Sequence, residues 1–374
     1  MELVDLLDDV RELVGCESPS ADLAAVARSA DVVARIGTRR LGVEPDRIVL
    51  DGRTHLRWRL GSGPSRVLVL GHHDTVWPLG SLATHPCTVE AGVLRGPGCF
   101  DMKAGLVMAF HALAGVDGVT LLVTGDEELG SPSSRALIED EARSVEAALV
   151  LEASADGGAL KTERKGVSLY DVRAVGRAAH AGLEPEAGVN ATIELAHQAI
   201  AVSALGRPEV GTTVTPTASR AGTTTNTVPA EGSFAVDVRV RTIAEQDRVD
   251  AAMRGLRAVL PGAVLEVTGG PNRPPLEASA SAALFARAHS LAVRLGLPAP
   301  AAAAVGGASD GNFTAGVGTP TLDGLGAVGG GAHADDEHVL VDELPGRTAL
   351  LHALVADLLA HPTNSVLTAG AARP

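Results

Sequence analysis

Three short apolar runs in this chain each end on residues able to hold a metal ion, and that pairing limits the possible folds more than any other feature. Val67-Leu68-Val69-Leu70 runs into Gly71-His72-His73-Asp74, Val119-Thr120-Leu121-Leu122-Val123-Thr124 into Gly125-Asp126-Glu127-Glu128, and Ala147-Ala148-Leu149-Val150-Leu151 into Glu152. Runs this short and apolar read as strands buried on both faces of a mostly parallel sheet. Ligands of such sheets bind beyond the carboxyl ends of the strands. One His and several carboxylates would therefore collect along one sheet edge, which points to a hydrolase using divalent metal ions.

Strand-like runs alternate with helical patterns to about residue 166, the signature of α/β layering. Leu3, Leu7, Val10 and Val14 predict a first helix that stops near Gly15. Residues 101–114 predict another, opened by Asp101 after the turn-rich Arg95-Gly96-Pro97-Gly98. After Lys165-Gly166 the pattern changes to alternating strands such as Phe234-Ala235-Val236-Asp237-Val238-Arg239-Val240, with helical patterns near 190–205 and 244–260. These predict a smaller α+β (ferredoxin-like) unit with one open sheet face. The Pro/Gly-rich segment 269–275 reads as a hinge back to the first domain. Beyond it the pattern predicts a helix over 280–295, a glycine-rich loop over 306–311, a short strand near 320–322 and a last helix over 344–359. The Ala-rich 299–304 reads as a loop or helix end. The expected organisation is a catalytic domain in two parts, 1–166 and 273–374, around an inserted domain over 167–272.

At 374 residues the chain can bury a sizeable core, and its net charge of -14 without a basic run argues against nucleic-acid or anionic-membrane surfaces. An aromatic content of 2% argues further against a base-stacking surface. Cys16, Cys87 and Cys99 are too few for a disulfide framework, which favours a reducing compartment. No basic leader or membrane-spanning run is visible, so a cytoplasmic protein is expected.

A cocatalytic metal pair needs about three ligands per ion, one of them shared, with a position left for water. Two ions about 3.5–4 Å apart can then activate the water and polarise the substrate oxygen together. The chain offers His72, Asp101, Glu128, Glu152 and His333, all beside expected strand ends or glycine-rich turns. Taken alone, His72 could be an ordinary histidine and Glu127-Glu128 a solvated pair, but two adjacent carboxylates ending an apolar strand are unfavourable without a cation. Zinc suits such nitrogen and oxygen donors, and cobalt or manganese would satisfy them too. His55, His73, His85, His111 and His197 read as surface or helix histidines, Asp335-Asp336-Glu337 as a solvated acidic turn, and Cys99 as a small packing residue. Gly306-Gly307 lacks the context of a nucleotide fingerprint and reads as a pliant loop lining the site.

The blocks His72-His73-Asp74-Thr75-Val76, Gly96-Pro97-Gly98-Cys99-Phe100-Asp101-Met102-Lys103, Asp126-Glu127-Glu128, Glu152 and Gly331-Ala332-His333 resemble, in order and nearly end to end, the metal-site blocks of the M20 metallopeptidase family. That family holds glutamate carboxypeptidase, acetylornithine deacetylase, succinyl-diaminopimelate desuccinylase and aminoacylases. The resemblance implies that His72 and Glu152 complete one zinc site, Glu128 and His333 the other, and Asp101 bridges both. It implies that Asp74 holds the His72 ring and that Glu127 is the general base. The inserted domain becomes a lid and dimerisation domain, in which His180 of Gly176-Arg177-Ala178-Ala179-His180-Ala181-Gly182 reaches the partner subunit's active site to steady the tetrahedral oxyanion. Asn226 and Arg239 resemble substrate-contacting positions, and Arg273 and the 307–312 loop substrate-side elements.

The activity so implied is hydrolysis of the amide bond of an N-acyl amino acid or small peptide, carboxypeptidase-like and of the glutamate carboxypeptidase type, which the block over 96–105 most resembles. A deacetylase or aminoacylase of amino-acid metabolism is the enzymatic alternative. A pseudoenzyme that binds an amino acid or peptide without turnover is the alternative from another class, and its signature, a missing ligand or base, is not seen. The expected partners are a small-molecule substrate and a second copy of the chain, with neither nucleic acid nor membrane.

Overall fold

The three apolar runs form neighbouring strands. In the computed structural model, which describes residues 2–361, Val67–His72 lies between Val119–Thr124 and Ala147–Val150 and runs parallel to both. Every residue of the three strands is buried, which is why no polar alternation marks them. Val67 stands opposite both Val119 and Ala147. Starting level, the strands also end nearly level, so His72, the Glu127-Glu128 turn and Glu152 all leave one edge of the sheet. Thr321–Leu322 adds a parallel strand beside Ala147–Val150, while Arg53–Leu60 and then Asp46–Leu50 extend the other side antiparallel. The sheet is mixed, with a parallel centre.

Helix Leu3–Val14 stops at Gly15 as expected. Leu23–Leu41 follows, its first turn capped by the Asp22 carboxylate accepting the Ala25 N–H, its end closed by Gly42 at φ 74. The helix expected from residue 101 begins only at Ala104. Asp101 itself is non-helical at φ -112 and ψ 91, inside a wide turn over Cys99–Lys103. The Lys103 N–H closes that turn on the Gly98 carbonyl at 3.0 Å. Ala104–Ala112 then packs tightly under the sheet edge. A Cβ on Gly105 would lie 2.4 Å from the Leu151 carbonyl oxygen, so glycine sets how near this helix comes to the strand end that carries Glu152. Ala, Val and Leu fill most of the core, and fully buried Trp58 meets Phe110 edge-on at 5.5 Å. Such a contact contributes about 0.5–1.5 kcal/mol beyond burial.

By contact density the described chain forms two compact units. The second is Arg164–Glu277 with Gly306–Ala308, and the first is the remainder of the described chain. Residues 1 and 362–374, the outer ends of the two expected catalytic segments, lie outside the described residues. The second unit is an antiparallel four-stranded sheet in the spatial order Thr213–Ala221, Glu231–Val240, Gly166–Val175, Val264–Arg273. Along the chain, helix Ala191–Ser203, capped by Asn190, follows Gly166–Val175, and Ile243–Arg254, capped by Thr242, follows Glu231–Val240. That βαββαβ order is ferredoxin-like.

Three local expectations change. The second of these helices ends at Gly255 instead of near 260. The expected hinge over 269–275 is mostly the bulged end of an edge strand, paired as far as Arg273 with Val167. Gly269 and Gly270 take φ 86 and 152 there, and edge strands tolerate Pro and Gly because their outer N–H groups need no partner. The Ala-rich run becomes strand Ala302–Val305, pairing with Leu160–Arg164; its small side chains gave no periodicity to read. Among the described residues no helix is long and apolar enough to cross a membrane.

Candidate metal centre

His72 closes its strand with the ring fully enclosed. Its Nδ1–H donates to the backbone carbonyl of Asp74 at 3.0 Å, which turns Nε2 toward two carboxylates. Nε2 lies 3.3 Å from Asp101 Oδ1 and 3.6 Å from Glu152 Oε1. Opposite, His333 Nε2 lies 3.2 Å from Asp101 Oδ2 and 3.2 Å from Glu128 Oε2. Asp101 therefore faces a different histidine with each oxygen. His333 sits in a turn at φ 63, a region few non-glycine residues adopt and one that clusters at ligand sites. Glu127 adjoins the same centre, its donor oxygen within 4.8 Å of those of His72 and Glu152; His72, Asp101 and Glu128 form a second such group.

Those residues fit a pair of divalent ions. Asp101 Oδ1 and Glu128 Oε1 are buried and accept no hydrogen bond, although anionic oxygens removed from water need compensation. Ligands bonded at about 2.0–2.2 Å to one tetrahedral ion stand about 3.3–3.6 Å apart. The four separations above fall in or just below that range, in two groups that share Asp101. The chemistry of the donors, imidazole nitrogen and carboxylate oxygen, suits zinc, cobalt or manganese.

Protonation responds to the same crowding. Burial works to depress the His72 imidazole, but the carboxylates of Asp101, Asp74 and Glu152 outweigh it and carry the pKa well above the ordinary value. Asp101 and Glu128 push His333 up to about 10. Burial alone would raise Asp101, yet His333 and His72 hold it far below the usual carboxylate range, whereas for Glu128 burial prevails and the pKa rises. The crowded donors thus favour positive charge held between them, a place that protons or divalent cations can fill.

Asp74 meets the His72 ring with both its side chain and its backbone. Its carboxylate is 3.5 Å from His72 Nδ1, while its backbone carbonyl takes the ring's hydrogen bond. The carboxylate accepts the N–H groups of Glu127 at 3.2 Å and Glu128 at 3.3 Å, anchoring the turn that carries both. Asp126, next to that turn, accepts from Ser133 and Ser134 and is structural.

The other expected residues belong to the second unit. There the His180 and Asn226 segments lie side by side, with the Ala181 N–H donating to the Asn226 carbonyl at 2.9 Å. The His180 ring accepts only from Gly182 N–H at 3.1 Å among the described hydrogen bonds. Arg239 is half-buried and holds Asp237 in a two-pronged ion pair at 2.8 and 2.9 Å. Arg273 is buried at the end of its strand.

Two readings from the sequence are corrected. His73, just past the end of strand Val67–His72, and His55, within strand Arg53–Leu60, are buried instead of lying on a surface or helix, and both are hydrogen-bonded there: His73 Nε2–H donates to the Thr54 carbonyl and His55 accepts from Gly125. Glu337 is no part of a solvated turn. It is 3% exposed, and its carboxylate accepts from Trp77 Nε1, Gly98, Phe100 and Asp101. Only the apolar strand beginning at the next residue, His338–Leu340, hinted at its burial. Cys99 is buried as expected, with its thiol pushed up by burial.

Known proteins show the same arrangement of chain. Over 293 residues the sequence is 31% identical to carboxypeptidase G2 of Pseudomonas sp. (strain RS-16), covering 74% of this chain and 70% of that protein. The fold matches aminopeptidase PepT from Bacillus cereus ATCC 10987 with a TM-score of 0.76 at 23% identity, over 96% of this chain and 99% of the other. It also matches Bacillus subtilis YXEP, a dinuclear metal-binding peptidase of the M20 family, with a TM-score of 0.64 at 15% identity, over 96% and 98% of the two chains. The sequence pattern of peptidase family M20/M25/M40 runs through residues 68–357, from the His72 strand past His333, and the chain with this pair of imidazole and carboxylate clusters is a member of that family of metallopeptidase hydrolases.

Proposed function

We propose that this protein is a two-metal hydrolase that removes a carboxyl-terminal amino acid from an N-acyl amino acid or small peptide, in the manner of a glutamate carboxypeptidase. The observation that carries this reading is Asp101, whose two oxygens face His72 and His333 separately while one of them accepts no hydrogen bond. In this assignment His72 and Glu152 hold one ion, His333 and Glu128 the other, and Asp101 both. When bound, the pair supplies a Lewis acid for the scissile carbonyl and a water acidified toward a pKa of ~7.

The remaining steps belong to side chains. Glu127 stands next to the ligands without being needed as one, and as general base it takes a proton from the attacking water and returns it to the leaving nitrogen. Asp74 keeps the Glu127 backbone in place. His180 donates to the oxyanion of the tetrahedral intermediate, from the lid of a second subunit in a homodimer. Arg239 and Arg273 are the two candidates for clamping the substrate carboxylate, with Asn226 beside the substrate. The 31% relative named a carboxypeptidase supports this substrate class.

The direct test is mass spectrometry of a mixed panel of N-acyl amino acids and dipeptides incubated with protein reconstituted with zinc, cobalt or manganese. Cleavage concentrated on acylated glutamate-like compounds is expected. Preference for simple N-acetyl amino acids would make the protein a deacylase, and no cleavage by fully metallated protein would leave only a binding role.

A further inference from the structure

The carboxylate of Glu337 lies at the junction of three segments that the metal centre needs in register. Oε2 accepts Trp77 Nε1–H at 2.6 Å and the Gly98 N–H at 2.9 Å, and Oε1 accepts the N–H groups of Phe100 at 2.9 Å and Asp101 at 3.0 Å. Trp77 follows the His72-Asp74 block, while Gly98, Phe100 and Asp101 belong to the wide turn whose non-helical backbone aims the Asp101 side chain. The backbone of Glu337 belongs to the third segment. Its N–H donates to the Ala334 carbonyl at 3.0 Å, and the Ala334 N–H to Gly331 at 2.9 Å, which closes the turn that presents His333. Gly331 leaves no slack there, since a Cβ on it would lie 2.7 Å from Asp336 and 2.8 Å from the Glu337 nitrogen.

We infer that Glu337 is a positioning residue for the metal pair, fixing the spacing between Asp101 and His333 by joining their two turns through one carboxylate. The inference rests on the metal-centre reading above and adds to it a residue that touches neither metal nor substrate. Four N–H donors converge on two oxygens, and only a carboxylate can accept all four. A glutamine would turn an NH2 toward two of those donors and push the Asp101 turn away. Outer partners of metal ligands commonly contribute about 10–100-fold to affinity or activity.

The test measures metal affinity, not activity alone. Full-length wild type, Glu337→Gln and Trp77→Phe are titrated with Zn2+ against a chromophoric chelator, and bound Co2+ is followed by its visible absorption. For Glu337→Gln the weaker-held ion should lose about 10–100-fold in affinity, with the stronger-held ion less affected and the Co2+ spectrum altered. Trp77→Phe removes one of the four donors and keeps the aromatic ring against His85, so it should show a smaller loss in the same direction; it carries the test if Glu337→Gln does not fold. Two ions bound with wild-type affinities in these variants would overturn the inference alone, even if thermal stability fell. A wild-type chain that holds no second ion would overturn the metal-pair reading and this inference with it.

Discussion

The carboxylate of Asp74 accepts the backbone N–H of Glu127 at 3.2 Å, so the aspartate of the first histidine block holds the turn on which the proposed base rides. Neighbouring parallel strands make this possible: both residues leave the same sheet edge, one strand apart. The same carboxylate takes the Glu128 N–H. Burial opposes its charge, but His72 keeps its pKa below the ordinary value. The Asp74→Asn variant can accept one of these N–H groups and must oppose the other with an amide N–H. Activity or metal affinity should fall by about 10–100-fold, seen in kcat and in a chelator titration; wild-type values for both would show that the turn stands without Asp74.

The neighbouring His73 gives a pH dependence of stability. It is fully buried, and burial above all holds its pKa down to about 4, against about 6.5 in an unfolded chain. Between those values the unfolded chain binds the additional proton, so stability complete above pH 6.5 is lost as pH falls toward 4. The loss amounts to roughly 3 kcal/mol across that window. Urea midpoints of wild type should therefore fall more steeply from pH 7 to 4.5 than those of His73→Gln. Parallel slopes would mean that His73 takes up its proton as readily inside the fold as in the unfolded chain.

Removing the guanidinium proposed to clamp the substrate should matter most to substrates with a free carboxylate. Arg239→Ala or Arg273→Ala is expected to cut kcat/KM for the free acid far more than for the matching amide. Arg239 also engages Asp237, so any part of its loss that acid and amide share reports that ion pair. Equal losses for acid and amide in both variants would remove the clamp from the account.

His180 offers a test by mixing. In the proposed homodimer, a pair of one Glu127→Ala subunit and one His180→Ala subunit would contain one site with its own Glu127 and an intact His180 from the other chain. Refolding the two inactive variants together should restore activity approaching one working site per mixed dimer, whereas His180→Ala alone should fall by about 10²–10³-fold and Glu127→Ala alone by at least ~10²–10⁴-fold. No recovery despite demonstrated subunit exchange would place His180 in its own chain's site or in none.

The sequence was most legible where burial is complete. Strands enclosed on both faces carry almost no polar residue until they end, buried Thr120 excepted, so the Val67, Val119 and Ala147 runs mark both the sheet and the edge where His72, Glu128 and Glu152 emerge. Asp101 was legible as a ligand candidate but not as the non-helical centre of a wide turn, because that shape is set by hydrogen bonds to Glu337 more than 200 residues away in sequence. Glu337 was illegible for the same reason: an acidic triplet looks solvated until its distant donors are known. Ala302–Val305 escaped notice because small side chains suit helix, strand and loop alike.

The claim at the centre of this account is that Glu128 binds metal and Glu127 does not, although both oxygens lie near His72. Metal content by plasma mass spectrometry, measured beside kcat for Glu127→Gln and Glu128→Ala, separates them. The account predicts two ions per chain and a loss of at least ~10²–10⁴-fold in rate for Glu127→Gln, and about one ion per chain for Glu128→Ala. Loss of an ion from Glu127→Gln, with Glu128→Ala still holding two, would exchange the two roles and contradict the assignment.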